Sequence, residues 1–212
     1  MKISQIPDFF AILPKDDPAP RTELDFTNEF TLLVAVVLSA QATDKGVNKA
    51  TKSLFQRADT PAKMVALGED AIRAEVKTIG LYRNKAKNVF RLSEILLTDH
   101  GGEVPQDKET LMSLPGVGRK TANVVMNEAF GVATFAVDTH VFRVSNRTGL
   151  APGKTELAVE KKLDRRIPDP YRHHAHHWLI LHGRYVCLAR KPKCYICPVR
   201  DLCRYKPKTE HA

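Results

Sequence analysis

A lysine and an aspartate eighteen residues apart are the side chains best suited to covalent chemistry in this sequence. Lys120 lies in LPGVGRKTA (residues 114–122), and Asp138 lies in AVDTH. A neutral amine is a nucleophile, and a carboxylate can act as a general base or stabilise positive charge. The pair therefore indicates nucleophilic catalysis if the fold brings both side chains into one pocket. The alternatives are a phosphate-binding lysine and an aspartate that only caps a helix.

The residues around Lys120 predict two helices joined by a glycine turn. Asp107 is a good N-cap for a short helix that ends near Ser113, and the segment 115–118 then breaks the helix. Apolar residues at helical spacing predict a second helix, which Gly131 closes as a C-cap. Free N–H groups and the helix dipole at its start favour an anion such as a phosphate. We expect the DNA contacts of this turn at Gly116, Val117 and Gly118. A turn that merely reverses the chain is the alternative.

Four cysteines close together indicate a metal site near the end of the sequence. They follow the pattern Cys-x6-Cys-x2-Cys-x5-Cys and are Cys187, Cys194, Cys197 and Cys203. Both zinc and a 4Fe–4S cluster take four thiolates. The uneven spacing, with a single Cys-x2-Cys pair, favours the 4Fe–4S cluster, and zinc stays open as the alternative. Eight basic residues and one acidic residue lie between Arg184 and Lys208, and we expect Lys191 to face DNA phosphates.

Composition points to a nucleic-acid partner. The 212-residue chain carries a net charge of +9 and is 43% hydrophobic, which is enough for a substantial core. Strong basicity makes a nucleic acid the first partner to consider, although a solvated basic surface remains the alternative. The N-terminus has no signal-peptide pattern, and the apolar run 32–38 is too short to span a membrane. We therefore expect a soluble, cytoplasmic monomer that associates with the nucleoid and not with membranes.

Helical patterns dominate the elements that must position these residues. The apolar segment 30–38 predicts a helix that is buried all round. A helix over 139–147 should follow Asp138 directly, with Gly149 after its end. The sequence shows no clear strand pattern and no internal repeat. These features predict an all-α protein.

Taken together, the motifs resemble those of one enzyme family. The segments LPGVGRKTA, AVDTHVFRVSNRTGL and VLSAQATD (37–44) occur with the four-cysteine loop. This combination resembles the bacterial endonuclease III family of helix-hairpin-helix DNA glycosylases, over about residues 23–205. The hairpin alone is shared by many DNA-binding proteins, whereas its combination with Lys120, Asp138 and this cysteine spacing is specific.

The resemblance implies a fold and a set of site residues. A six-helix barrel domain would cover 21–130, and a second helical domain, 1–20 plus 131–212, would hold the iron–sulfur cluster. Lys120 would be the nucleophile and Asp138 the catalytic carboxylate. Gln41 and Leu81 would lie in loops that enter the duplex when the damaged nucleotide leaves it.

The resemblance also implies the activity. A bifunctional DNA glycosylase and AP lyase of base excision repair would remove oxidised pyrimidines and cleave the strand by β-elimination through a lysine Schiff base. We expect the start of the second hairpin helix and a semi-buried cleft to favour the neutral amine of Lys120. An apolar wedge such as Leu81 can open a base step, and Gln41 can bond to the orphaned base. Taken without the family, Leu81 would be an ordinary core leucine and Gln41 a polar residue at a helix end.

Two other functions compete with this interpretation. Related adenine glycosylases share the hairpin, aspartate and cluster, but they usually lack the lysine and carry a further C-terminal domain. Because this sequence has Lys120 and stops at residue 212, the lyase branch fits better. The other candidate is a DNA-binding iron–sulfur or zinc protein without catalytic activity, which would bind duplex DNA and never cut an abasic site.

Overall fold

Helices are the only regular secondary structure in the part of the chain that the structure describes, which is residues 1–13 and 17–211. Within these residues, the computed structural model contains eleven α-helices, three short 3-10 helices and no β-strand. This confirms the all-α prediction. The helices are α1 (Ile6–Ile12), α2 (Glu29–Ser39), α3 (Asp44–Arg57), α4 (Pro61–Leu67), α5 (Glu69–Glu75), α6 (Tyr82–Asp99), α7 (Lys108–Ser113), α8 (Arg119–Phe130), α9 (Thr139–Thr148), α10 (Glu156–Arg166) and α11 (Asp169–Tyr185). Among these helices, none combines the length and apolar character that crossing a bilayer requires.

Two compact units divide the chain. The central unit is Thr22–Gly131, and the terminal unit combines Met1–Arg21 with Val132–Ala212. The central unit contains the helices α2 to α8, and the terminal unit contains α1 and α9 to α11. The six-helix barrel expected over 21–130 stays a prediction.

The core of the central unit is built around α2. Every residue from Phe30 to Leu38 is buried, as the apolar pattern predicts. The helix begins at the N-cap Asn28, whose Oδ1 accepts a hydrogen bond from the backbone N–H of Thr31 at 2.8 Å. The segment that includes Gln41 follows the C-terminal end of this buried helix directly.

An aromatic cluster and the packing of α9 against α11 form the core of the terminal unit. Phe10 of α1 stacks on Tyr171 of α11 with ring centroids 5.8 Å apart, and its ring lies 6.4 Å from that of Trp178. The indole Nε1 of Trp178 donates a hydrogen bond to the carbonyl of Asp17 at 2.9 Å. The N-terminal segment is thereby fixed to α11. This helix packs on α9, which begins at the N-cap Asp138.

Candidate active site and cysteine cluster

The glycine turn before Lys120 is held by a close contact inside the central unit. Asp107 caps α7 by accepting a hydrogen bond from the backbone N–H of Thr110 at 2.8 Å, as predicted. Gly116 has φ +80°, and a Cβ placed there would lie 2.8 Å from Asn88 Nδ2 and 3.1 Å from Val37 Cγ1. Both the left-handed backbone and the available space therefore require glycine at this position.

The next two residues of the turn differ in what they leave open to a phosphate. The side chain of Val117 is buried, and its N–H donates to the carbonyl of Leu114 at 3.1 Å, so this donor is not available to a phosphate. Gly118 is the N-cap of α8 with φ −89° and ψ 175°, an extended conformation open to any residue. A Cβ at Gly118 would meet no atom within 4 Å. Gly118 therefore leaves open space in front of the N–H groups of α8.

Lys120 is the second residue of α8 and is exposed. The first turn of this helix has no acidic residue and no side-chain cap among the described residues. The orphan N–H groups and the positive end of the helix dipole thus lie beside the amine. The expectation of a semi-buried Lys120 is wrong for the protein without DNA, because the residue follows an open turn.

Asp138 begins α9 as its N-cap in the terminal unit. Its Oδ1 accepts a hydrogen bond from the backbone N–H of Val141 at 2.7 Å, and the residue is partly buried. The preceding residues 135–137 are buried, and Gly149, with φ +77°, closes the helix. Among the described residues, no hydrogen bond to Asp138 Oδ2 is present. The capping role is therefore real, and it uses one carboxylate oxygen while leaving the second available for chemistry.

Gln41 and Leu81 share a rare backbone conformation. Their φ angles are +56° and +59°, in the left-handed region that residues with a side chain seldom adopt. Both residues are exposed, and Leu81 keeps 57% of its surface in solvent, which excludes the core-leucine alternative. A Cβ at Gly80 would lie 3.9 Å from the carbonyl oxygen of Gln41, so the two segments are neighbours in the central unit. Sparsely populated backbone conformations of this kind cluster at functional sites.

The four cysteines line one cavity in the terminal unit. Burial raises the pKa of the Cys197 thiol to about 11, and the other three cysteine thiols raise it further, so all four are close enough to interact. Burial also raises the pKa of Cys203. Such thiols stay protonated at neutral pH unless a metal replaces the proton on the sulfur atom.

The spacing of the sulfur atoms separates the two candidate groups. Among the described residues, no three cysteine Sγ atoms lie within 4.8 Å of one another. Tetrahedral zinc, with Zn–S bonds of about 2.3 Å, would bring all four sulfurs to about 3.8 Å from one another. The wider arrangement fits a 4Fe–4S cluster, whose four irons separate their thiolate ligands.

Two arginines of α9 hold the first loop between the cysteines, and the sequence motifs did not reveal them. Arg147 donates to the carbonyls of Leu188 at 2.6 Å and Ala189 at 2.9 Å, and its Nη1 lies 3.7 Å from Cys187 Sγ. Arg143 donates to the carbonyl of Cys187 at 2.9 Å. The spacing of four residues that places both on one helix face was readable, but their acceptors are carbonyls forty or more residues away. The helix that begins at Asp138 therefore also fixes the cysteine loop.

Lys191 lies in this first loop and is exposed with φ +49°. Along with Gln41 and Leu81, it completes the set of non-glycine residues with positive φ in the part of the chain that the structure describes. The basic cysteine loop led to the prediction of a DNA contact at Lys191, and the family resemblance led to those at Gln41 and Leu81. A DNA contact at Lys191 stays a prediction.

Comparisons with known proteins agree with this geometry. Residues 34–169 match the family model of the HhH-GPD superfamily of base excision DNA repair proteins, and residues 187–203 match the iron–sulfur binding domain of endonuclease III. The chain is 56% identical to endonuclease III of Escherichia coli strain K12 over 198 residues, which cover 93% of this chain and 94% of that protein. It is 55% identical to endonuclease III of Rickettsia conorii over 205 residues, covering 97% and 98% of the two chains.

A solved structure of endonuclease III has a similar fold. A trapped covalent intermediate of endonuclease III with DNA, in an estranged-adenine complex, superposes with a TM-score of 0.89. The sequences are 47% identical, and the match covers 96% of each chain.

Proposed function

Since this chain belongs to the endonuclease III family of helix-hairpin-helix base excision DNA repair proteins, we propose that Lys120 is its nucleophile and Asp138 its catalytic carboxylate. The protein is a DNA glycosylase with lyase activity, and it binds DNA. The observation that best supports the two residues is the uncapped first turn of α8 beside an open glycine turn. This turn places an exposed amine next to donors suited to a phosphate.

The proposed reaction begins after the damaged nucleotide has left the duplex stack. The neutral amine of Lys120 attacks the sugar C1′, and the bond between C1′ and the base breaks with its electron pair leaving on the base. The C1′–O4′ bond then breaks, its electron pair stays on O4′, which takes up a proton, and the nitrogen, having lost a proton, forms the Schiff base between Lys120 and C1′. Asp138 stabilises the positive charge that develops on the sugar as the base departs.

Strand cleavage then follows from the Schiff base. A general base removes a proton from C2′. The electron pair of that C–H bond forms a C2′–C3′ double bond while the 3′ phosphate leaves with the electron pair of its bond to C3′. Water hydrolyses the imine and restores Lys120. These reaction steps need no oxidant or reductant, because the electron pair of every bond that breaks stays on one of the two groups that the bond joined.

We propose that three parts of the central unit position the DNA. The turn at Gly116 and Gly118 offers the N–H groups of α8 to a phosphate, which fixes the duplex without reading its bases. The exposed side chain of Leu81 enters the base stack, and Gln41 bonds the base left without a partner. The positive φ angles and the exposure of both residues support this assignment, because strained backbone conformations cluster at functional sites.

The protein carries a 4Fe–4S cluster. We propose Cys187, Cys194, Cys197 and Cys203 as its ligands, because these thiols line one cavity and are too widely spaced for a single zinc ion. When bound, the cluster ties the basic loop into one fixed shape, in which Lys191 meets DNA phosphates. Purified protein with stoichiometric zinc and no iron would contradict this assignment.

We further propose that oxidised pyrimidines are the preferred bases and that the protein acts as a monomer on the DNA of the nucleoid, in the cytoplasm. The resemblance of the sequence motifs to the endonuclease III family supports the substrate class. The net charge of +9 supports residence on DNA. Analytical ultracentrifugation of the free protein checks the monomer.

A panel of duplexes that each carry one defined lesion tests the proposal. The wild-type protein should release oxidised pyrimidines and cleave the strand, and it should leave undamaged duplex intact. Lys120→Gln should still bind the duplex and fail to cleave it. The control Lys63→Gln removes an exposed lysine of α4 and should cleave normally. Binding without release or cleavage by the wild type would instead support a DNA-binding protein without catalytic activity.

A further inference from the structure

His182 of α11 lines the cavity of the four cysteines, and the proposed chemistry gives it no role. The residue is 6% exposed, and its Nε2 lies 3.7 Å from Cys197 Sγ. Its backbone carbonyl accepts hydrogen bonds from the N–H groups of Val186 at 3.0 Å and Cys187 at 2.7 Å. One residue thus contacts two of the four cysteines, through its side chain at Cys197 and through its backbone at Cys187.

Close packing of α11 on α9 fixes the place of His182. A Cβ at the next residue, Gly183, would lie 2.8 Å from His140 Cβ, so glycine lets the two helices approach here. Arg143 of α9 donates hydrogen bonds to the carbonyl of Gly183 at 2.8 Å and to that of Cys187 at 2.9 Å. The same arginine thus holds the end of α11 and the first cysteine, so the backbone that carries the imidazole is anchored.

The loss of a thiol proton decides which atom donates in the contact between His182 and Cys197. A thiol can donate through its S–H or accept at its sulfur, and a ring nitrogen donates or accepts according to the tautomer. A cysteine that binds iron is a thiolate without a proton, and it can only accept. The Nε2 that faces Cys197 must then carry the hydrogen, and the contact becomes an N–H···S hydrogen bond.

Other cysteine sulfurs also lie beside N–H donors. Nη1 of Arg147 donates to Cys187 Sγ at 3.7 Å, and the backbone N–H of Tyr205 donates to Cys203 Sγ at 3.5 Å. Together with His182, these donors approach the cavity from α9, from α11 and from the segment after the last cysteine. A hydrogen bond donated to a cysteine sulfur stabilises negative charge there, and such bonds are one of the factors that set the reduction potential of an iron–sulfur cluster.

We propose that His182 is a positioning residue of the cluster, whose Nε2–H donates a hydrogen bond to Cys197 Sγ, holds this ligand in place and raises the reduction potential of the cluster. The inference rests on the proposed function, because it assigns a donor to one of the proposed ligands. Because the four cysteines complete the ligand set, His182 binds no iron itself. The hydrogen bond fixes the third cysteine from a helix outside its own loop.

Substitution of His182 by leucine and by glutamine separates hydrogen bonding from packing. Leucine fills a similar volume without a donor, whereas glutamine keeps an N–H donor at the reach of Nε2. Voltammetry of the purified holoproteins measures the reduction potential, with the electrode supplying the electron. His182→Leu should shift the equilibrium about tenfold towards the oxidised cluster, which lowers the potential by about 59 mV for one electron. His182→Gln should restore most of this shift.

A histidine of the same helix provides the matched control. His173 is exposed and lies nine residues before His182, which is about 13 Å along the helix axis. His173→Leu should therefore keep the wild-type potential. A merely structural role of His182 would change the stability of its variants and leave the potential of their clusters unchanged.

A measurement on the wild type does not depend on how the variants fold. Its histidines are labelled with the heavy isotope of nitrogen, and one-electron oxidation or reduction at the electrode brings the cluster to a paramagnetic state. Pulsed electron paramagnetic resonance then detects nitrogen coupled to the cluster. A hydrogen-bonded imidazole should give one weak coupling, far smaller than that of an imidazole bound to iron. The coupling should persist in His173→Leu.

Three results would overturn the inference. They are a wild-type potential in His182→Leu, an equal fall of the potential in the leucine and glutamine variants, and a wild-type spectrum with either no histidine coupling or the strong coupling of an iron ligand. The proposed ligand set fails differently. Iron-free wild-type protein, or a wild-type iron content and cluster spectrum in Cys197→Ala, would overturn the ligands themselves.

Discussion

At the scale of single residues, the proposed DNA contacts occupy backbone positions that few side chains tolerate. Gln41, Leu81 and Lys191 all have φ between +49° and +59°. A conformation of this kind costs about 1–3 kcal/mol for a non-glycine residue unless its surroundings enforce it. Each side chain is exposed, so core packing is not the reason for the strain. The geometry instead fits residues that must project towards a ligand.

Asp138 combines a capping role with a proposed chemical role, and two substitutions separate them. Asparagine caps helices as well as aspartate does, so Asp138→Asn should change the free energy of unfolding by less than about 0.5 kcal/mol. Base removal should slow about 100-fold, because the neutral amide no longer stabilises the positive sugar. Cleavage at a preformed abasic site should survive better, since no base must leave. Single-turnover kinetics on the two substrates measure the difference.

Asp138→Ala should additionally lose the hydrogen bond to the N–H of Val141 and about 1 kcal/mol of stability. Denaturant unfolding of both variants measures this difference. Equal base removal by Asp138→Asn and the wild type would leave Asp138 with only its capping role.

At the scale of elements, the hairpin turn depends on two glycines for different reasons. Gly116 is required inside the fold by its φ of +80° and its contacts with Asn88 and Val37. Gly118 is required by nothing in the described structure, since its backbone is extended and its surroundings are open. The first glycine therefore serves folding, and we propose that the second serves the approach of DNA.

Paired substitutions test this division. Gly116→Ala should lower the free energy of unfolding by about 1–2 kcal/mol, because alanine resists the left-handed backbone and its Cβ meets neighbouring atoms. Gly118→Ser should leave stability unchanged or improve it, since serine is a good N-cap. Its hydroxyl would take the N–H groups of α8 that a phosphate needs, so duplex affinity should fall about tenfold. Wild-type affinity of Gly118→Ser would exclude a phosphate at this turn.

Sequence patterns predicted local features of these elements and missed long-range ones. The caps Asp107, Asp138 and Gly149 follow from residue types next to each helix, and the structure confirms them. The exposure of Lys120 and the burial of Lys85 depend on what packs against each helix, which spacing alone does not reveal. Likewise, only neighbouring atoms distinguish Gly116, which the fold requires, from Gly118, which it does not.

At the scale of the whole molecule, charge and the cysteine loop act on the same partner. The net charge of +9 favours binding to DNA of any sequence. When the four cysteines bind a metal cluster, the basic residues of their loop are kept in a fixed loop. Arg143 and Arg147 join this loop to α9, which begins at Asp138. We therefore propose that the cluster contributes to DNA binding by shaping a basic surface.

Salt dependence measures this contribution. Binding to undamaged duplex should weaken steeply as salt rises, because each phosphate contact releases counterions. Lys191→Ala should weaken binding to all duplex sequences alike and make the salt slope shallower by about 0.9. The control Lys63→Ala, at an exposed position of α4, should leave the slope unchanged. A salt-independent affinity, or equal effects of the two substitutions, would contradict the role of the loop.

The central claim is that Lys120 forms the covalent bond to DNA, and mass spectrometry after borohydride trapping tests it most directly. Borohydride reduces the imine formed on a duplex with one oxidised pyrimidine, and proteolysis then leaves a nucleotide remnant on a single peptide. The remnant should lie on Lys120, and Lys120→Gln should give no cross-link while keeping duplex affinity within about threefold, the loss of one phosphate contact at most. A remnant on Lys85 or another amine, or full trapping by Lys120→Gln, would contradict the account.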